Sequence, residues 1–465
     1  MGILTTLSIA AQSLKNQQAG IQTTGHNIAN AATPGFSRQR VEILTELPSF
    51  QGGVMLGQGS KVAGVQRVVD RFLEAGLLTL NGDIGTAEAE HQALAAIQEV
   101  FPTTGGIDAA LSAFFGALSD MANNPGGLNE RVSVIGKATA LGESLRHARE
   151  LLTASQRNLD DELQSITNRV NLLTKQIAEL NGKISFSEIG GVEANDFRDQ
   201  RQTRIQELVR LTGATVREGA DGQVTVISNG LLLVSGARPA TLDSSTLNGA
   251  GFRQVMLQSP DGLTFNATTL LQSGKIGTVL DMRDNRVQRI IDRLDQIAVT
   301  LVNAVNGQHA LGFDLSGAPG GDFFSPLPAV AGAAAVVRVN PSLASDPRLI
   351  AAASSATTVP GDNRNALALL NLRSVTHAAL GNLTLQDSYL ALVGDIGSQV
   401  ESAQAGLEFR QSLLKQTEAQ REAVSGVNMD EEMTKMILFQ RAFEASSLLV
   451  RTADDMYGEL IEMTR

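Results

Sequence analysis

The side chains of this chain best able to do chemistry are its five histidines and its grouped acids, and neither set is spaced for catalysis. His26, His91, His147, His309 and His377 are scattered along the chain. No two stand as the ligand pair of an H-E-x-x-H helix. Gly136-Lys137 and Gly274-Lys275 lack the following Ser or Thr and the earlier Gly of a phosphate loop. Gly57-Gln58-Gly59 lacks the third glycine of a dinucleotide turn. There is no G-x-S-x-G elbow, and cysteine is absent, which removes disulfides, thiolate metal sites and cysteine nucleophiles together. Asp430, Glu431 and Glu432 open a predicted helix, where acids serve the helix dipole and solubility. Carboxylates that meet only on folding stay open as acid–base pairs at this point. The chain reads as a non-enzyme with no catalytic residue, no cofactor and no metal.

Composition narrows the class. With 465 residues there is room for roughly three domains. A net charge of -11 and the lack of a basic stripe argue against nucleic acid. Mean hydropathy is near zero and no apolar run approaches the ~18 residues of a membrane span, so no membrane insertion is expected. Residues 1–11 carry no Lys or Arg and are interrupted by Thr5, Thr6 and Ser8, so no general secretory signal is visible. Tryptophan is missing and aromatics make up 4%, which leaves small aliphatic helical cores.

The elements follow from periodicity. Leu4, Leu7, Ala11, Leu14, Gln18, Ile21, Gly25 and Ile28 form a 3-4 stripe, the spacing of a coiled-coil seam. That helix ends before Thr33-Pro34-Gly35-Phe36, a type II turn signal, after which Arg38 to Ile43 is strand-like. At the other terminus Phe439, Ala442, Ser446, Leu449, Ala453, Met456, Leu460 and Met463 form a second stripe. Gly426 suits the end of the helix before it, Asn428 its cap and Glu431 the capping-box position. Helical patterns run over about 71–100, 107–122, 128–184, 196–211, 276–306 and 384–424. Between 214 and 273, Val224, Val226, Leu231, Leu233, Val255 and Leu257 alternate between Asp-Gly and Asn-Gly turns, the pattern of a small β domain. Residues 307–361 read as irregular, with a short strand near 336–339.

The predicted fold is therefore mainly α with a small β domain, elongated, with nested discontinuous domains and terminal helices pairing as a coiled coil. Residues 1–45 with 426–465 form a terminal foot, 46–212 with 276–425 a helical shaft, and 213–275 the β domain, drawn as a knob. A fully buried Leu contributes roughly 1.5 to 3 kcal/mol, but the first stripe also holds Ala11, Gln18 and Gly25. Gly25 costs up to about 1 kcal/mol in a helix, so the foot is expected to be marginal alone and to fold with its neighbours. The assembly interface is placed on Leu4, Leu7, Leu14, Ile21, Ile28, Phe439, Leu449, Met456 and Leu460. Asn27, Asn30 and Pro34 would set how the foot turns toward the shaft, and Arg38 and Arg40 would pair with carboxylates on an adjacent subunit.

Asn27-Ile28-Ala29-Asn30-Ala31-Ala32-Thr33-Pro34-Gly35-Phe36 resembles the amino-terminal motif of flagellar rod, hook and hook-associated proteins. Ser37-Arg38-Gln39-Arg40-Val41 and Ser425-Gly426-Val427-Asn428-Met429-Asp430-Glu431-Glu432 resemble the hook-associated protein 1 family more than the others. Weaker matches are Phe114-Phe115, Ala122-Asn123-Asn124-Pro125, Gly321-Asp322-Phe323-Phe324 and Gly361-Asp362-Asn363. The resemblance implies an extracellular structural subunit of the bacterial flagellum, in a ring of like subunits that connects hook to filament. It further implies type III export without a cleaved signal peptide, contacts with hook protein and hook-associated protein 3, and an export chaperone on the C-terminal segment. The alternatives are another flagellar axial protein, hook-associated protein 3 or hook protein, and a wall-cutting flagellar enzyme.

Overall fold

In a computed structural model, which describes residues 2–51, 54–102 and 104–463, the chain is an elongated, mainly helical molecule. It opens with helix α1 (Gly2–Asn30) and a twisted ribbon, β1 (Gln39–Thr45), β2 (Ser49–Gln51), β3 (Val54–Leu56) and β4 (Ser60–Arg67). Helices α2 (Arg71–Gln98), α3 (Ile107–Asn123), α4 (Leu128–Ser187) and α5 (Asn195–Thr212) follow. Then come β5 (Thr215–Glu218), β6 (Val224–Ser228), β7 (Leu231–Ser235), β8 (Arg238–Pro239), β9 (Thr241–Asp243), β10 (Met256–Gln258) and β11 (Thr264–Asn266). The return path is α6 (Gly274–Asp281), α7 (Val287–His309), the short α8 (Pro341–Ser345) and α9 (Arg364–Asn371), then α10 (Leu385–Ser425) and α11 (Met429–Met463).

The terminal helices pair as expected. Residues 46–67, expected within the helical shaft, instead complete the ribbon: β1 pairs antiparallel with β4 from Gln39–Arg67 to Thr45–Ser60, and β2 with β3 at its tip. Short strands paired as Ser49–Leu56 to Gln51–Val54 stand where a helix would need a continuous 3.6 period. The shaft's helices start where short polar side chains satisfy free N–H groups. Asp70 accepts from the N–H groups of Phe72 and Leu73, and Thr384 from that of Asp387.

Helix α4 holds 60 residues and spans about 90 Å at ~1.5 Å per residue. Asn171, Thr174 and Asn181, spaced to share one face, bond the backbone of the β region at Leu242, Ala240, Val224 and Gly236. Two antiparallel sheets, β5-β6-β7-β8 and β11-β10-β9, thus lie along α4, and the alternating residues Val224, Val226, Leu231, Leu233, Val255 and Leu257 are all buried. The β region is not a knob at the far end. That end is built by α3 and the irregular segment after α7, where Phe114, Phe115, Phe323 and Phe324 have ring centroids 5.0 to 6.1 Å apart. Near Val339 a 3-10 turn (Ala333–Ala335) and an isolated bridge to Phe324 replace the expected strand.

Two buried polar side chains hold this end. The Arg131 guanidinium donates to the carbonyls of Pro125 and Ile350, and burial pushes it down to about 10, still charged at neutral pH. His309 Nδ1 lies 2.6 Å from the Gly321 carbonyl, and Nε2 accepts from the Ala351 N–H at 2.9 Å. The ring is therefore neutral with its proton on Nδ1, and burial holds its pKa below the ordinary value. The helix expected over 276–306 is continuous from α6 to α7 through a π turn, Met282–Arg286. That turn presents Arg283, 0% exposed, to Asp160 at 2.5 Å and to Asp284 at 2.7 Å.

Because the folded state resists protonating His309 and the unfolded state does not, its contribution to stability is full above the ordinary histidine pKa. That contribution is lost as pH falls toward the lowered folded value. Urea midpoints measured from pH 7.5 to 5 should fall with acid in the parent protein, and the fall should be shallower in His309→Gln. Equal slopes in the two proteins would refute this account of His309.

Candidate assembly interface

Helices α1 and α11 run antiparallel, and their contacts step by seven residues. Asn27 meets Glu432, Gly20 meets Phe439 and Ser13 meets Ser446. One more step brings residue 6 opposite Ala453, which is buried. A Cβ on Gly20 would lie 2.7 Å from the Phe439 ring, so this crossing needs glycine. The Ser13 and Ser446 hydroxyls bond at 2.8 Å. The α1 residues that meet α11 are therefore small or polar, Ser13, Gly20 and Asn27, while the buried Asn16 donates instead to Ser60 of β4.

The stripe expected to form that seam sits about 100° round the helix, one residue away. Leu7, Leu14, Ile21 and Ile28 are half-buried and Leu4 is 60% exposed. Close approach and hydrogen bonding fix the register, so the branched residues are left outside it. On α11 the expected stripe is nearer the seam: Phe439 is half-buried and Ser446 and Ala453 are buried. Toward the C-terminal end, Leu449, Met456 and Leu460 are 55%, 51% and 47% exposed. Met433, Ile437, Leu438 and Leu448 add exposed apolar area that the heptad reading passed over. Across its 29 residues α1 carries one Lys or Arg, Lys15, and no acid.

The motif at the end of α1 is a joint. Asn27 Nδ2 donates to the Gln39 carbonyl and to Glu432 Oε2, both at 2.8 Å, while its Oδ1 accepts from the Gln39 N–H at 2.9 Å. One buried side chain thus ties α1, β1 and α11. Glu432, 2% exposed, also accepts from Lys435 Nζ at 2.8 Å. Gly35 has φ +80°, as the expected type II turn requires, and Phe36 N–H bonds the Thr33 carbonyl at 3.2 Å. Pro34 lies in this turn, which packs against α5, where Gly35 stands against Thr203. Asp199 accepts from the Ser37 N–H and from Arg67, both at 2.8 Å; Asp196 accepts from Gln39 Nε2 at 2.8 Å and meets His26 at 3.2 Å. Arg421 bonds Glu74 at 2.7 Å across α10 and α2.

Asn30 has a local role, donating to the His26 carbonyl and accepting from Thr33. Arg38, expected to reach an adjacent subunit, instead pairs with Glu431 of its own chain at 3.0 Å, because Arg38 N–H is bonded to the Ser425 carbonyl and places it beside the start of α11. Asn428 caps α11 through the N–H groups of Asp430 and Glu431, but Glu431 turns to Arg38 and not back to close a capping box. Gly426, at φ -71°, is needed for space: a Cβ would meet the Glu422 carbonyl at 2.3 Å. Asp196, Asp199, Arg67 and Asn195 carried no recognisable signal; acids at a helix start read as dipole partners, and their targets lie up to 162 residues away. Among the described residues there is no group of three or more His, Asp or Glu placed to hold a metal.

Residues 94–324 match the family described as the flagellar hook-associated protein FlgK helical domain, and residues 419–463 the flagellar basal body rod FlgEFG protein C-terminal family. The chain is 27% identical to flagellar hook-associated protein 1 of Bacillus subtilis, over 98% of this chain and 97% of that one. It is 25% identical to that of Escherichia coli, with 98% of each covered. The chain is thus similar to flagellar hook-associated protein 1 over almost its whole length. A solved structure of the flagellar hook junction protein FlgK from Burkholderia pseudomallei shares the fold, with a TM-score of 0.66 at 17% identity, covering 76% of this chain and all of that one. The terminal segments of this chain thus meet through small and polar residues, with the larger apolar residues of α1 half-buried beside the seam and those toward the end of α11 exposed.

Removing Asn27 deletes three hydrogen bonds and leaves Gln39 backbone groups unpaired in a buried place. Asn27→Ala should lower foot stability by roughly 2–4 kcal/mol, read as a lower urea midpoint for the terminal helices. Gly20→Val should cost about 1–3 kcal/mol by overpacking, with partial recovery on adding Phe439→Leu. Unchanged midpoints in both would overturn this account of the joint and seam.

Proposed function

We propose that this protein is a structural subunit of the bacterial flagellum that connects hook to filament, and that it has no enzymatic role. The observation that carries the reading is the foot: two terminal helices held together through small and polar residues, with the large apolar residues of α1 half-buried and many of those on α11 exposed. An exposed apolar surface of this extent on a solvated chain fits burial by other subunits. The near-full-length likeness to hook-associated protein 1 of Bacillus subtilis supports the same reading.

Assembly on this proposal is coupled to folding. The seam offers the monomer few large buried side chains, so ordering the foot is marginal until neighbours cover Leu4, Leu7, Leu14, Ile21, Ile28, Leu449, Met456 and Leu460. Asn27, Pro34 and Arg38 then act from within, by fixing the angle between foot and shaft. The partners are like subunits in a ring, hook protein on one side and hook-associated protein 3 on the other. An export chaperone covers the apolar face of α11 before type III secretion to the cell exterior. No helix among the described residues is long and apolar enough to cross a membrane.

A strain lacking this protein should make hooks and release unassembled filament subunits into the medium. Filaments still attached to hooks in that strain would overturn the junction role. Brief protease treatment of the monomer should cut within the first 40 and last 35 or so residues before the shaft, and resistant termini would overturn coupled folding.

A further inference from the structure

Between α1, β1 and α11 lies a cavity of about 310 Å³, lined among others by Thr23, Arg38, Arg40, Glu432, Lys435 and Phe439. Its charges are unevenly satisfied. Arg38 is held by Glu431 at 3.0 Å and Lys435 by Glu432 at 2.8 Å. Arg40 is exposed and has no carboxylate within ion-pairing distance among the described residues. The opposite imbalance stands at the other end of α11. From Thr452 to Met463 there are four acids, Asp454, Asp455, Glu459 and Glu462, and no Lys or Arg. All four are exposed, and none has an ion-pair partner among the described residues.

We propose that this cavity receives the Asp454–Asp455 turn of a second copy of the chain, with Arg40 as its charge partner. The contact deepens the polymeric role proposed above by fixing where one copy meets the next. The cavity stands at the level of residues 432–439 of α11, and the acids lie roughly 19 residues further along the same helix. At ~1.5 Å per residue, two copies running in the same direction are offset by about 28 Å along the helix axis. Donor and acceptor surfaces lie on different parts of the chain, so the contact is head-to-tail and repeats from copy to copy. An aspartate suits the cavity because its short side chain reaches a guanidinium while the apolar neighbours in the turn cover the Phe439 edge.

Charge reversal tests this with the full-length protein, under conditions where the parent self-associates. Arg40→Glu and the pair Asp454→Arg with Asp455→Arg should each weaken self-association at least about 10-fold in sedimentation velocity. Uniting all three changes in one chain should restore most of it, and raising salt should weaken the parent. Circular dichroism checks that each variant is folded, and Arg40→Gln with Asp455→Asn serves if a reversal is not. Single reversals that associate like the parent, a combined variant that stays weak, or growth that stops at a two-fold dimer would each overturn the proposal. Complementation of a strain lacking the protein separates the two readings: reversals that leave association intact while filaments remain attached defeat this contact and spare the junction role.

Discussion

The foot depends on one amide. Asn27 satisfies both backbone groups of Gln39 and a buried carboxylate, Glu432, so the first helix, the first strand and the last helix are fixed relative to one another at a single point. A leucine there would pack but could not specify. The donors and acceptors of an amide accept one register, whereas apolar contacts between two regular helices tolerate several. From that point the seam runs on in seven-residue steps to Gly20 with Phe439 and Ser13 with Ser446, each too small or too polar to contribute much burial. Geometry is set here by polar chemistry more than by apolar burial.

That division explains what could be read from the residues and what could not. The long helices of the shaft are legible to within a few residues because each is periodic, and several open or close on Asp70, Thr384 or Gly213, whereas the short α8 and α9 are not. The β region was visible because Asn229 and Gly230 adopt φ of +47° and +83°, which few other residue pairs do readily. The ribbon tip was missed, since its short strands with exposed apolar residues on both faces lack the alternation of a half-buried strand. The terminal stripe was seen correctly as a row of large apolar residues. A heptad pattern cannot say whether the large or the small row faces the partner helix, and in this chain the row one position away, Ser13, Gly20 and Asn27, does so. The joint's long-range partners, Asp196, Asp199 and Arg67, were illegible in principle: the pairing is decided by chain topology and not by spacing.

The placement of charge follows the same logic. The shaft carries its buried ions in closed sets, such as Arg283 with Asp160 and Asp284, or Arg201 with Asn181 and Glu218, where each guanidinium meets several acceptors. These sets lie where the π turn and the β region dock on α4, and they specify that docking without depending on a second molecule. On the foot, α1 is almost free of ions, and the acids at the far end of α11 have no ion-pair partner among the described residues.

Helix α4 has one further consequence. Its first turns are clamped by Arg131 at the far aromatic cluster, its middle by Asp160 and Asn171, and its last turns are followed by Glu188, which bonds Arg198 beside the joint. A single unbroken rod about 90 Å long thus runs from one end of the shaft to the other. Twisting or pulling at the joint is carried to the outer tip through continuous backbone hydrogen bonds, with no flexible linker along the way to absorb the load.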